Sequence, residues 1–82
     1  MKSLLSMRKL REYGWTEQSE RNGEIKVFLA NRRSGGIMVR AKGIVCGVEL
    51  VTLRNGMATL WGCDETGRAV CIEERMMRIE CL

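Results

Sequence analysis

Between Lys26 and Lys42 the chain places five cations, Lys26, Arg32, Arg33, Arg40 and Lys42, and no acid. Guanidinium forks combine charge with bidentate hydrogen bonds, so such a run is suited to phosphate oxygens or to the carboxylates of an acidic partner. Arg32 and Arg33 lead into Ser34-Gly35-Gly36, and a loop with paired glycines can shape itself round a phosphate. The opening segment, Met1 to Gly14, adds Lys2, Arg8, Lys9 and Arg11 against Glu12 alone, whereas the stretch after Gly43 holds four arginines against six acids. The net charge of +4 is thus concentrated in the first half of the chain. Nucleic-acid or nucleoprotein binding through Arg32, Arg33, Arg40 and Lys42, with Lys26 or Arg8 assisting, is the first functional expectation.

Other chemistry is thin. The chain has no histidine, which removes the commonest general base and metal ligand, and no serine or cysteine stands in a recognisable nucleophile motif. Cys46, Cys63, Cys71 and Cys81 are separated by 17, 8 and 10 residues, with no C-x-x-C pair, a pattern that argues against zinc and reads as small buried hydrophobes in a reducing compartment. The adjacent carboxylates Asp64-Glu65 and Glu73-Glu74 read as charge decoration. Neither an enzyme nor a cofactor is expected. With only Tyr13, Trp15, Phe28 and Trp61 as aromatics, stacking of several single-stranded bases is not supported. Trp61 has two readings: core if the sheet closes on itself, which is the default for a tryptophan, or the anchor of a protein interface if its face is exposed.

The elements that must position these residues are mostly strands. Asn55-Gly56 is the strongest short signal for a two-residue type I′ hairpin turn, because both positions need a positive φ. It sets Val51 against Leu60 and Leu53 against Ala58 on one face, with Leu50 against Trp61 and Thr52 against Thr59 on the other. Asp64-Glu65-Thr66-Gly67 suits a type I turn closed by a left-handed Gly67, bringing Trp61 beside Cys71 and Cys63 opposite Ala69. Cys63 and Cys71 are then diagonal neighbours, too far apart for easy disulfide geometry. Val51, Leu53, Ala58, Leu60, Val70 and Ile72 form the face to be buried, and Thr52, Thr59, Trp61, Cys63 and Cys71 the mixed one.

Upstream, Asn22-Gly23 predicts another hairpin, with Gln18 against Val27 and Arg21 against Glu24. Its first strand, residues 15–21, is polar enough for an edge, and Ile25, Val27 and Leu29 are expected to be the buried side of its second. Gly43 and Gly47, within or around the next strand, predict a bend or bulge there. At the N-terminus Ser3 is a candidate cap for a short helix carrying Leu4, Met7 and Leu10 and stopped by Gly14. Arg8, Lys9 and Arg11 near its end also suit the helix dipole. In the tail, a turn near Glu73 to Arg75 followed by a strand through Met77, Ile79 and Cys81 would close an open sheet edge.

The chain is therefore expected to be a single compact domain over residues 1–82, mainly β. The architecture expected is a small antiparallel barrel-like or strongly bent sheet of the SH3 or Sm type with a short N-terminal helix. The helix-then-hairpin opening with Gly14-Trp15 resembles small toxin ribonucleases of the HicA type over about the first third of the chain. Those rely on a histidine that this sequence lacks, so the resemblance implies no activity here. An apolar fraction of 45% with 29% charged residues is that of a globular protein, and no apolar run approaches the roughly 20 residues of a membrane helix. A cytoplasmic location without membrane association is expected, with no small-molecule substrate. The second functional expectation is a protein-interaction module, a small regulator or inhibitor of a larger assembly, possibly homodimeric, using an exposed edge or the Trp61 face.

Overall fold

A computed structural model of the chain describes residues 3–82. A helix α1 (Met7–Glu12) precedes seven strands: β1 (Thr16–Glu20), β2 (Ile25–Leu29), β3 (Ile37–Ala41), β4 (Ile44–Arg54), β5 (Met57–Asp64), β6 (Ala69–Arg75) and β7 (Glu80–Cys81). All pairings are antiparallel. No helix among the described residues is long and apolar enough to cross a membrane.

The hub is β4. One of its edges pairs with β5 along most of its length. The other edge is shared: β2 takes Leu50 to Leu53 and β3 takes Ile44 to Val48. β1 extends the sheet beyond β2, β6 beyond β5, and β7 beyond β3. The sheet is not closed, so the barrel alternative is not met and the tryptophan-in-the-core reading that depended on closure fails with it.

The hairpin registers are those the turn residues demand. Asn55 and Gly56 have φ of 51° and 77°, and the four expected β4–β5 pairs all form. Gly67 has φ 87°, its N–H donates to the Asp64 carbonyl, and Asp64 Oδ1 accepts from Thr66 N, Thr66 Oγ1 and Arg68 N at 2.7–3.0 Å. These bonds, that from the Thr66 hydroxyl foremost, hold the Asp64 carboxyl below its ordinary range. Trp61 faces Cys71 and Cys63 faces Ala69. Lys42 and Gly43, at φ 50° and 73°, form one more tight turn, between β3 and β4. Gly43 therefore serves a turn rather than the expected bend.

The bend lies at a β-bulge between Val48 and Leu50, which leaves Glu49 outside the β4–β5 register and keeps Cys46, Val48, Val51 and Leu53 all on the buried face. Here the two strands approach so closely that only glycine fits. A Cβ on Gly62 would overlap the carbonyl oxygen of Gly47 and sit 2.8 Å from the Cα of Val48, and one on Gly36 would lie 2.7 Å from the Val48 oxygen.

The inner face carries the core. Phe28, Val39, Val48, Val51, Leu60 and Ile79 are fully buried, under Leu5 and Leu10 from the N-terminal segment and beside Trp15. In β2 the buried residue is Phe28, and Leu29 is 50% exposed, the reverse of the sequence expectation. The register explains it: Phe28 pairs with the buried Val51, so Val27 and Leu29 fall on the opposite face with Thr52 and Leu50. The helix also starts later than expected. Residues 3–5 pair with the tail (Cys81 N to Ser3 O 2.7 Å, Leu5 N to Ile79 O 2.9 Å), and the cap passes to Ser6, whose Oγ accepts from Lys9 N at 3.1 Å. Gly14, at φ 86°, ends the helix as expected. Arg11 straps it down by a bidentate pair with Glu17 at 2.7 and 2.8 Å, its guanidinium 6.0 Å above the Phe28 ring. The tail turns at Met76–Arg78, later than expected, and β7 then covers the β3 edge with Ile79 buried and Met77 70% exposed.

Gly62→Ala is expected to destabilise the fold by about 3 kcal/mol, because backbone rather than a flexible side chain must yield. For a domain of this size that lowers the thermal midpoint by more than about 10 °C. An unchanged melting curve would show that the close approach does not set the bend.

Candidate functional site

The outer face of the sheet, opposite the core, is built by the same registers. Across β1, β2, β4, β5 and β6 one row reads Thr16, Leu29, Leu50, Trp61, Cys71, and the next reads Gln18, Val27, Thr52, Thr59, Glu73. A third is bounded by Glu20 on β1 and Arg75 on β6, with Ile25, Arg54 and Met57 between them. Beyond the bulge, Met38, Gly47, Cys63 and Ala69 continue the face. Nine of the ten positions in the first two rows are uncharged. Trp61 is 37% exposed and Leu29 50%, so the mixed face is open to solvent and Trp61 belongs to the surface. An ordinary solvated sheet face alternates to polar residues, so a tryptophan and two leucines in one cross-strand row mark a surface suited to contact.

The cysteines divide between the two faces. Cys46 is buried and Cys81 half-buried, while Cys63 and Cys71 are exposed near Trp61, and all four are free thiols. The expectation of four buried cysteines thus fails for the two outer-face members, whose register positions lie opposite the core. Burial pushes the Cys46 and Cys81 thiols up from their ordinary range.

The six basic candidates do not converge. Lys26 lies on the inner side of β2, its Nζ donating to Ser19 Oγ at 2.8 Å. Arg40, on the outer face, is 3.9 Å from Glu80, and Arg8 is 3.5 Å from Glu12. Lys42 occupies the β3–β4 turn, at the other end of β3 from Arg32 and Arg33. What the structure does bring together is the Arg32-Arg33 loop and the end of the helix, through a hydrogen bond of 2.7 Å from Asn31 Nδ2 to the Gly14 carbonyl. Arg33, Tyr13, Met38 and Leu82 line one cleft of about 390 Å³, a juxtaposition that sequence spacing alone does not reveal.

Much of the loop's backbone is hydrogen-bonded within the loop itself. Asn31 Oδ1 accepts from Arg33 N and Ser34 N at 2.9 and 3.0 Å, and Gly35 N donates to the Asn31 carbonyl at 2.8 Å. The Arg33, Ser34 and Gly35 amides are thus spent within the loop, which leaves its two guanidinium groups as the stronger donors to an anion.

In the folded chain at neutral pH, N-ethylmaleimide is expected to modify Cys63 and Cys71 at least ten times faster than Cys46, read by mass spectrometry of peptides. Equal rates at Cys46 and Cys71 would contradict the assignment of faces. Comparison with protein-family models, with curated proteins and with solved structures finds no match, so the reading of function rests on these surfaces.

Proposed function

We propose that this chain is a non-catalytic protein-binding module, a bent sheet used in the manner of SH3- or Sm-type domains, with the outer face around Leu29, Leu50 and Trp61 as its working surface. The observation that carries this reading is the row in which exposed Leu29 and Trp61 flank Leu50 inside a nearly uncharged field. Central aromatic and aliphatic anchors within a charged rim are the composition of an interface core, and an aromatic there dominates binding energy. Arg54 and Glu73 join Glu20 and Arg75 in supplying the rim.

A second reading, nucleic-acid or nucleoprotein binding, draws on one specific observation: Asn31 ties the Arg32-Arg33 loop to the helix end, placing Arg33 with Tyr13 at a cleft. Neither arginine forms a salt bridge among the described residues. The two readings use different residues and differ in salt dependence.

Affinity capture from a lysate, with and without nuclease, separates them. Under the first reading a nuclease-resistant protein is retained, and Trp61→Ala or Leu29→Arg reduces its recovery at least tenfold while Arg32→Glu with Arg33→Glu leaves it intact. A catch lost on nuclease treatment and on the double arginine reversal, with Trp61→Ala indifferent, overturns the first reading in favour of the second.

A further inference from the structure

We propose that the partner on the outer face is a second copy of this chain, docked about a twofold axis that runs along β4. The inference rests on the reading of that face as a protein-binding surface and assigns its occupant. The strand order supplies the reason. In the five-stranded part of the sheet β4 is the central strand, flanked by β2 and β5 and then by β1 and β6. A twofold axis along β4, between two sheets packed face to face, keeps each row at its own level and exchanges left for right. β1 then lies over the second copy's β6, and β2 over its β5.

The pairs created this way are complementary. Leu50 meets its own equivalent on the axis, Leu29 meets the second copy's Trp61, and Ile25 meets the second copy's Met57. At the corner, Glu20 faces the second copy's Arg75, twice by symmetry; both are exposed and neither forms a salt bridge within the chain among the described residues. Two like-charge approaches remain: Arg54 with its equivalent on the rim at the hairpin tip, and exposed Glu49, beside Leu50 on β4, with its own equivalent. A twofold axis across the strands fares worse, since it would set Arg54 on the second copy's Leu50 and Arg75 on its Cys71, stranding both cations on uncharged partners. The isologous geometry along β4 is therefore the one that sets Glu20 against Arg75 and keeps apolar residues opposite one another in the central row.

The size of the face sets the strength. Five strands at about 4.8 Å spacing span about 24 Å, and three rows with their side chains cover about 20 Å, so two copies bury roughly 1,000 Å² in total. That is at the lower bound of specific interfaces, the size of a reversible rather than an obligate dimer.

The test is sedimentation equilibrium of the full chain from about 1 µM to 1 mM at moderate salt. The expected result is a mass rising from 9.3 kDa toward twice that value. Glu20→Lys alone and Arg75→Glu alone should each weaken association about tenfold, and the double variant should restore it to within about threefold. Leu50→Arg, with folding checked by circular dichroism, should abolish it. Without any substitution, maleimide labelling of Cys71 should slow at least fivefold between the lowest and highest concentrations while that of unfolded chain does not. A monomer at every concentration overturns the dimer and leaves the protein-binding reading to its own capture experiment. A dimer that ignores Leu50→Arg and the charge exchange, with Cys71 still reactive, overturns this face and axis.

Discussion

The structure depends on one long strand that must serve two partners on the same edge. β4 pairs with β2 over one half and β3 over the other, and the bulge at Glu49 separates the halves. The bulge absorbs one residue without moving the buried set to the wrong face, so Val48 and Val51 both point inward. Its geometry requires the β4 and β5 backbones nearly to touch at Gly62, and the chain leaving β2 to detour through residues 30–36 before β3 begins. The loop that carries Arg32 and Arg33 is thus a by-product of the bend, and Ala30 N donating to Glu49 O at 2.9 Å pins its start to the bulge itself.

The Asn55-Gly56 turn was legible because its chemistry is local, whereas Lys42-Gly43, with no asparagine to announce a positive φ, reads from sequence as strand. Asn55-Gly56 states a positive φ at two consecutive positions, and one such statement determines every cross-strand pair as far as the bulge. The burial of β2 was not legible, because Ile25, Val27 and Leu29 alternate as well as any core strand. Only the tertiary pairing of Phe28 with Val51 decides which alternation faces inward. The helix start failed for a related reason. Ser3 is a plausible cap in local terms, but the tail's backbone recruits residues 3–5 from more than 70 positions away and the cap passes to Ser6. Gly62 carries no local signal, because a glycine inside a good strand pattern gives no sign of which backbone will approach it.

The outer face is exposed because the covering segments among the described residues all lie on the inner side. A sheet buries a face only against another layer, and here the covering material is a helix of six residues, the strip at residues 3–5 and the tail. That is enough for one side of a five-stranded sheet. It is used entirely on the inner side, where Leu5, Leu10 and Ile79 close over Phe28 and Leu60. Apolar residues on the other side have no cover within the described residues, and Leu29, Leu50 and Trp61 stand there in one cross-strand row rather than scattered. Scattered exposure is ordinary for a small protein; alignment at the centre of the sheet is what distinguishes this case.

Charge then separates the two candidate surfaces physically. The excess of cations belongs to the helix, the β2–β3 loop and the β3–β4 turn, while the outer face carries Glu73 in its central rows and Glu49 beside Leu50 at the bulge. Contact through the outer face therefore desolvates few charges, and its strength should come from apolar area, which salt does not screen. The loop works by the opposite physics, since Arg32 and Arg33 are exposed and act through a field that falls off within about 10 Å at 0.1 M salt. Because the loop is rooted at the flank of β4 and the outer face is centred on it, occupying one surface does not consume the residues of the other. A module that docks through the face would still present its guanidinium groups, doubled if the docked partner is a second copy. Two adjacent weak charge contacts held on one rigid body raise the effective concentration for the second once the first has formed.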